Sequence, residues 1–257
     1  MQDSRIIDIH AHSVIKDPAV AETLIPEAAR HGVKTMVLLG DVGAFGEFPS
    51  EEEVWRINDD TAALVRRFPA SFLGFCHLNP EHGSKALLSE MDRCVKGMGM
   101  RGIKLWVSVV ARDRRLDPIM ERAGELGIPV LHHCWYKTVQ KTRCESDPSD
   151  IADLASRFPG VTIVMAHLSG CAQRGIQDIK PFPNVLVDTS GSQPVAGLVE
   201  YAVRELGAER LLYGSDIPVR DFAGQLGRIL SADIAEEDRE KILFRNARRL
   251  LGPGAAA

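Results

Sequence analysis

The chain has 257 residues, 45% hydrophobic and 26% charged, which is enough apolar material for a full globular core. Lys plus Arg number 31 against 35 Asp plus Glu, a net charge of −4 with the two signs interspersed, and this excludes the basic stripe of a nucleic-acid binder. No apolar run approaches the roughly 18 residues of a membrane span, and Met1-Gln2-Asp3-Ser4-Arg5 lacks the apolar core of an export signal, so a cytoplasmic protein without a membrane partner is expected.

Strand-length apolar runs alternate with helix-period segments along the whole chain, the signal of a parallel sheet wrapped by helices. Arg5 to Ala11 reads as the first strand, and Pro18 to His31 as a helix stopped by Gly32. Lys34 to Leu39 is the second strand. After a Gly-rich loop from Gly40 to Pro49, Ser50 and Glu53 have capping-box spacing and open a helix to about Phe68. Ser71 to His77 is the third strand, with Ser84 to Lys96 helical, and Arg101 to Trp106 is the fourth, followed by a helix from Asp117 to Leu126. Ile128 to Cys134 forms the fifth strand and Ser149 to Arg157 its helix. Val161 to Ala166 is the sixth, with a weaker helical stretch before Pro181-Phe182-Pro183. Asn184 to Asp188 is the seventh, with Val195 to Leu206 helical. Arg210 to Tyr213 is the eighth, followed by helical segments from Phe222 to Ser231 and from about Ala235 to Leu251, and a frayed Gly254-Ala255-Ala256-Ala257 tail.

Eight strand-helix units in this length match a (β/α)₈ TIM barrel, read as a single α/β domain spanning residues 1–257. A doubly wound open sheet fits less well, since no G-x-G-x-x-G follows the first strand. Five cysteines in irregular positions, none in a C-x-x-C pair, argue for a reducing compartment and against a zinc ribbon or dithiol site.

In such a barrel the chemistry sits at the C-terminal strand ends. Those ends carry His10-Ala11-His12, Lys104, His132-His133, His167, Asp188 and Ser215-Asp216. His10 and His12 are two apart on an extended segment, so both rings leave one face and can share a cation. Of His132 and His133 only one can enter the barrel mouth. Leu131 shares the phase of His133, whereas Val130 and Cys134 share that of His132, which leaves both open. Asp8, in phase with His10 and His12, is expected to orient an imidazole. Lys104 reads either as a salt-bridged barrel lysine or as a carboxylated bridge between two metals. Trp106, Trp135 and Tyr136 fit pocket walls or loop packing. Arg112, Arg114, Arg115 and Arg220 lie in loops on the same side, where a carboxylate-bearing substrate needs a guanidinium.

The segments Asp8-Ile9-His10-Ala11-His12, Phe75-Cys76-His77-Leu78-Asn79-Pro80, Gly102-Ile103-Lys104-Leu105, Leu126-Gly127-Ile128-Pro129-Val130-Leu131-His132-His133, Ala166-His167-Leu168-Ser169-Gly170, Gly214-Ser215-Asp216-Ile217-Pro218 and Asn246-Ala247-Arg248-Arg249-Leu250-Leu251 stand in an order that resembles the amidohydrolase superfamily. More narrowly, the chain is similar to the amidohydrolase-related family that includes metal-dependent decarboxylases of aminocarboxymuconate-semialdehyde type. By that resemblance the fifth-strand ligand falls four residues after a Pro-Val proline, at His133. His10, His12, His133 and Asp216 would hold a divalent metal, zinc being expected. One ion is implied, or two if Lys104 is carboxylated, with Lys104, Trp106 and Arg220 as possible second-metal or substrate contacts. His133-Cys134-Trp135 departs from relatives with a small residue after the histidine, which expects a different pocket floor.

The resulting expectation is a hydrolase acting on a small amide, lactone or ester through metal-activated water, with Asp216 moving the proton and His167 facing the water or substrate. The alternative is non-oxidative decarboxylation or hydration of a carboxylated aromatic or dienoic acid, with Arg112 or Arg220 as the cationic clamp. A small molecule is the expected partner, and self-association of the chain is left open.

Overall fold

The computed structural model describes residues 5–17, 19–193 and 195–252. The expected helix start at Pro18 and the closing tail lie outside these residues. The strands are β1 (Ile6–Ala11), β2 (Val33–Leu38), β3 (Phe72–Gly74), β4 (Cys76–Leu78), β5 (Ile103–Leu105), β6 (Val130–His132), β7 (Ile163–Met165), β8 (Val185–Asp188) and β9 (Leu211–Leu212). They pair in parallel in chain order, β1 to β3 and then β4 to β9. β3 and β4 are the two halves of the expected third strand, interrupted at Phe75, whose N–H donates to the Leu38 carbonyl at 2.9 Å. The last strand returns to the first through Ile9 N to Tyr213 O (2.9 Å), Asp216 N to His10 O (2.7 Å) and His12 N to Ile217 O (2.8 Å), closing the (β/α)₈ barrel.

Two apolar layers hold the barrel together. Ile7, Ile9, Val37, Leu39, Phe75, Leu131, Val164, Ala166, Leu186 and Leu212 fill its interior with Ala247 and Leu251 of the C-terminal helix, while a larger cluster packs the outer strand faces against the helices. Each fully buried aliphatic side chain contributes about 1.5–3 kcal/mol. The Phe75 ring fills interior space that only a glycine opposite leaves open: a Cβ on Gly102 would lie 2.6 Å from it.

The surrounding helices include α1 (Ala19–Arg30), α2 (Glu51–Arg67), α3 (Ser84–Asp92), α4 (Asp117–Leu126), α5 (Pro148–Arg157) and α6 (Leu168–Ile179), then α7 (Leu198–Leu206), α8 (Phe222–Leu230), α9 (Glu236–Glu240) and α10 (Asn246–Leu251). The Ser50/Glu53 capping box forms as its spacing requires, and Gly32 takes the left-handed conformation at the end of α1 (φ 76°). Two helices expected as continuous instead carry a wide π turn, Arg93–Gly97 after α3 and Lys241–Arg245 between α9 and α10. Neither has a proline or glycine at its start that would mark the change in sequence.

β1 carries the device that builds the site. It advances three residues from Asp8 to Ala11 while β2 advances two from Met36 to Leu38. Such a bulge adds a residue and re-aims the side chains that follow. Ile7 and Ile9 point into the interior and Ala11 points outward, so His10 and His12 turn to the barrel mouth.

Candidate metal centre

The mouth of the barrel opens into a cavity of about 610 Å³ lined by His10, His12, Lys104, Trp106, His133, His167, Asp216 and Arg220, among others. Residues separated by as many as 210 positions thus meet in one space, of a size that suits a small organic ligand.

The hydrogen bonds fix the protons of the rings. His10 Nδ1 lies 2.8 Å from Asp188 Oδ2, and His12 Nδ1 lies 2.7 Å from the Gly40 carbonyl. A carboxylate and a carbonyl oxygen only accept, so each ring carries its proton on Nδ1. The bare Nε2 atoms then face each other at 3.2 Å, with Asp216 Oδ1 at 3.5 Å from the first and 3.4 Å from the second. A second pair repeats the pattern. Ser190 spends its one hydroxyl hydrogen on Asp188 Oδ1 and accepts from His167 Nδ1 at 2.8 Å. His133 Nε2 donates to Glu145 Oε1 at 2.9 Å, so its Nδ1 lone pair meets the His167 Nε2 lone pair at 3.2 Å.

Four imidazole lone pairs and a carboxylate turned inward repel one another unless a positive charge sits among them. The chemistry of this donor set therefore fits a divalent cation. His10, His12 and Asp216 offer ligand atoms all within 4.8 Å of one another, and His133 meets the cluster through His167. Burial, with the Lys104 ammonium adding to it, pushes the His10 pKa down, and burial does the same to His133 and His167, so these rings are neutral and free to ligate at neutral pH. Burial alone would raise the Asp216 carboxyl. The His12, His10 and His167 rings that face it outweigh burial and hold the group well below the usual carboxylate range.

Two backbone positions are held in the left-handed region at some cost, His167 (φ 69°) and Asp216 (φ 63°). Neither is glycine, and such conformations cost of order 1–3 kcal/mol each. They persist because Asp188 Oδ1 accepts from His167 N at 3.2 Å and the His10 carbonyl accepts from Asp216 N at 2.7 Å.

The other expected residues divide cleanly. His132 points away from the mouth into the outer layer, where its Nδ1 faces the His133 carbonyl at 2.7 Å, leaving His133 as the inward ring. Lys104 is buried with its Nζ 3.5 Å from His10 Nε2, and burial lowers its pKa to about 8 against the pull of Asp216 and Asp188. Trp106 and Trp135 line the cavity, and the Trp135 ring sits 5.1 Å from His167. A Cβ on Gly170 would lie 2.7 Å from that indole, so glycine makes room for it. Asp8 does not orient an imidazole. The bulge that follows it puts it out of phase with the rings, and it accepts from the backbone of His10 (3.0 Å) and Ser215 (2.9 Å), pinning β1 to the segment after β9. Burial pushes its carboxyl up to about 7 in spite of those bonds.

Arg112, Arg114 and Arg115 are paired with Asp150, Asp117 and Asp113, away from the cavity lining. Arg220 is different. It lines the cavity, its Nε is buried with no hydrogen-bond partner, and among the described residues it forms no ion pair with a carboxylate. The sequence placed Asp188 at a strand end without a role, and nothing in its pattern pointed to Ser190, Glu145 or the Gly40 carbonyl. These groups are recognisable only once the rings they hold are in place.

A second group of metal-type side chains, Cys76, Glu90 and Cys94, lies in the core behind β4. Its carboxylate is already satisfied by Arg93 and Asn58, each at 2.7 Å.

The gamma-resorcylate decarboxylase of Polaromonas sp. (strain JS666) is 24% identical over 276 residues, covering 86% of this chain and 83% of that protein. A crystal structure of 2,6-dihydroxybenzoate decarboxylase complexed with 2,6-dihydroxybenzoate matches the fold with a TM-score of 0.76 at 21% identity, covering 98% and 99% of the two chains. The dihydroxybenzoic acid decarboxylase from Polaromonas sp. JS666, solved with bound manganese and the inhibitor 2-nitroresorcinol, matches with a TM-score of 0.73 at 18% identity, covering 98% and 97%. The amidohydrolase family profile matches residues 7–252, from the first strand through the last helix. This chain belongs to the amidohydrolase family.

Proposed function

We propose that the chain is a divalent-metal-dependent, non-oxidative decarboxylase of a small hydroxyaromatic carboxylic acid, with His10, His12, His133 and Asp216 as the metal ligands. The observation that carries the substrate class is Arg220, a guanidinium without a carboxylate partner in the same cavity as the inward-facing lone pairs. The relatives support the reaction: the Polaromonas protein is named for decarboxylation of gamma-resorcylate, and a structural neighbour holds 2,6-dihydroxybenzoate. Hydrolysis of an amide, lactone or ester draws on the same donor set, but neither the relatives nor the unpaired guanidinium favours it. Nitrogen and carboxylate donors suit zinc or manganese, and the neighbour with manganese supports the latter. One ion is assigned to the centre, with Lys104 as an amine beside His10.

When bound, the ion supplies a Lewis acid that polarises a substrate oxygen. The chain's own groups do the rest. Arg220 pairs with an anionic oxygen of the substrate by charge-assisted hydrogen bonds, and Trp106 and Trp135 flank its ring. A proton adds to the ring carbon bearing the carboxylate. The carbon–carbon bond then breaks, its electron pair returns to the ring and CO₂ leaves, so no oxidant is needed. Asp216 and His167 are assigned to carrying that proton.

The test is a panel of hydroxybenzoates, small lactones and amides offered to enzyme loaded with manganese or zinc, with CO₂ and hydrolysis products both measured. Metal-dependent CO₂ release from a hydroxybenzoate is expected. Turnover confined to the lactones or amides would return the assignment to hydrolysis.

A further inference from the structure

The loop between β6 and α5 is pinched at its base. Trp135 N donates to the Ser146 carbonyl at 3.0 Å, and Ser146 Oγ accepts from Ala111 N at 3.0 Å, tying the loop exit to a neighbouring segment. Glu145 sits beside this pin, only 2% exposed. Its Oε1 accepts from His133 Nε2 and from Lys137 Nζ, both at 2.9 Å, while its Oε2 is buried with no partner. Burying a carboxylate costs several kcal/mol unless well-placed donors meet it. An ion pair that merely stapled the loop would not need an imidazole as its second donor.

We propose that Glu145 is a positioning residue that fixes His133 as its Nε2–H tautomer and so presents the Nδ1 lone pair to the centre. The inference rests on the metal reading above. Without an acceptor at Nε2, the ring proton exchanges between the two nitrogens and Nδ1 carries it for part of the time. Lys137 bonds the same oxygen, Oε1, as the imidazole does and is not required for that choice. The pattern matches the role of Asp188 at His10 and of the Gly40 carbonyl at His12: each inward ring has an oxygen acceptor behind it.

Histidine ¹⁵N–¹H correlation spectra of the metal-free protein, with His133 assigned by its loss in H133N, read the tautomer directly. Wild type should show Nε2–H at His133, and E145L a mixture. Finding Nδ1–H at His133 in wild type would overturn the proposal without reference to any variant. Mn²⁺ affinity, followed by the paramagnetic resonance of the free ion, gives the second readout. E145L should bind about 10–100-fold more weakly. E145Q, whose amide oxygen still accepts from Nε2–H, and K137M, which leaves that acceptor in place, should stay near wild type. Equal weakening in K137M and E145L, or wild-type affinity in E145L, refutes the positioning role while leaving the metal centre intact. A wild-type protein that binds no Mn²⁺ removes both.

Discussion

Asp188 offers the sharpest test of how the lone pairs are set. Its two oxygens do different work. Oδ1 takes three donors, from His167 N (3.2 Å), Ser190 N (2.9 Å) and the Ser190 hydroxyl, whereas Oδ2 takes one, from His10 Nδ1 at 2.8 Å. In Asp188→Asn the amide oxygen stays on the side with three donors, because turning it round would leave those donors facing an NH₂ group. The NH₂ then faces His10 Nδ1, which must accept, and the ring proton moves to Nε2. His10 loses the lone pair it offers to the centre. Three of the four hydrogen bonds survive, so the variant should fold. Metal affinity should fall by about 10–100-fold, the usual consequence of removing an orienting partner, which corresponds to about 1.4–2.8 kcal/mol. Titration with Mn²⁺, monitored by the resonance of the free ion beside a thermal melt, measures both quantities. A folded Asp188→Asn protein with wild-type metal affinity would refute the tautomer argument.

Arg220→Gln should raise KM for the aromatic acid by about 10–100-fold, the loss of a charge-assisted hydrogen bond of about 1.5–3 kcal/mol, and steady-state kinetics with metal content held constant would check it. An unchanged KM would show that the guanidinium does not meet the substrate. Because burial holds the pKa of His10, His133 and His167 below the ordinary 6.5, these rings stay neutral as pH falls through that value. Metal affinity should therefore persist below pH 6.5 and decline only at lower pH, and a decline centred at or above 6.5 would indicate ordinary exposed histidines. Gly102→Ala should lower stability by about 1–3 kcal/mol through overpacking against Phe75, read as a fall in Tm of about 2–4 °C per kcal/mol. An unaltered melt would mean the ring has room to move.

The barrel was legible because each strand is a short apolar run between helix-period segments, and that pattern survives in one dimension. Its irregularities were not. The break at Phe75 depends on a ring packing over Gly102, a contact across strands, and the wide turns after α3 and before α10 carry no local breaker. The inward histidines were readable from their places at strand ends, whereas the alternation along the fifth strand left His132 and His133 open and only the family resemblance pointed to His133. Asp8 misled for a definite reason: the bulge after it shifts the alternation by one residue, so equal phase in sequence is not equal direction in space. Glu145 was hidden because a loop residue 12 positions from its imidazole carries no period at all.

The central claim is tested most directly by anomalous diffraction from crystals of the protein grown with Mn²⁺. One peak is predicted within ligand distance of His10 Nε2, His12 Nε2, His133 Nδ1 and the Asp216 carboxylate. No peak at the barrel mouth, or a peak only beside Cys76, Glu90 and Cys94, would contradict the account.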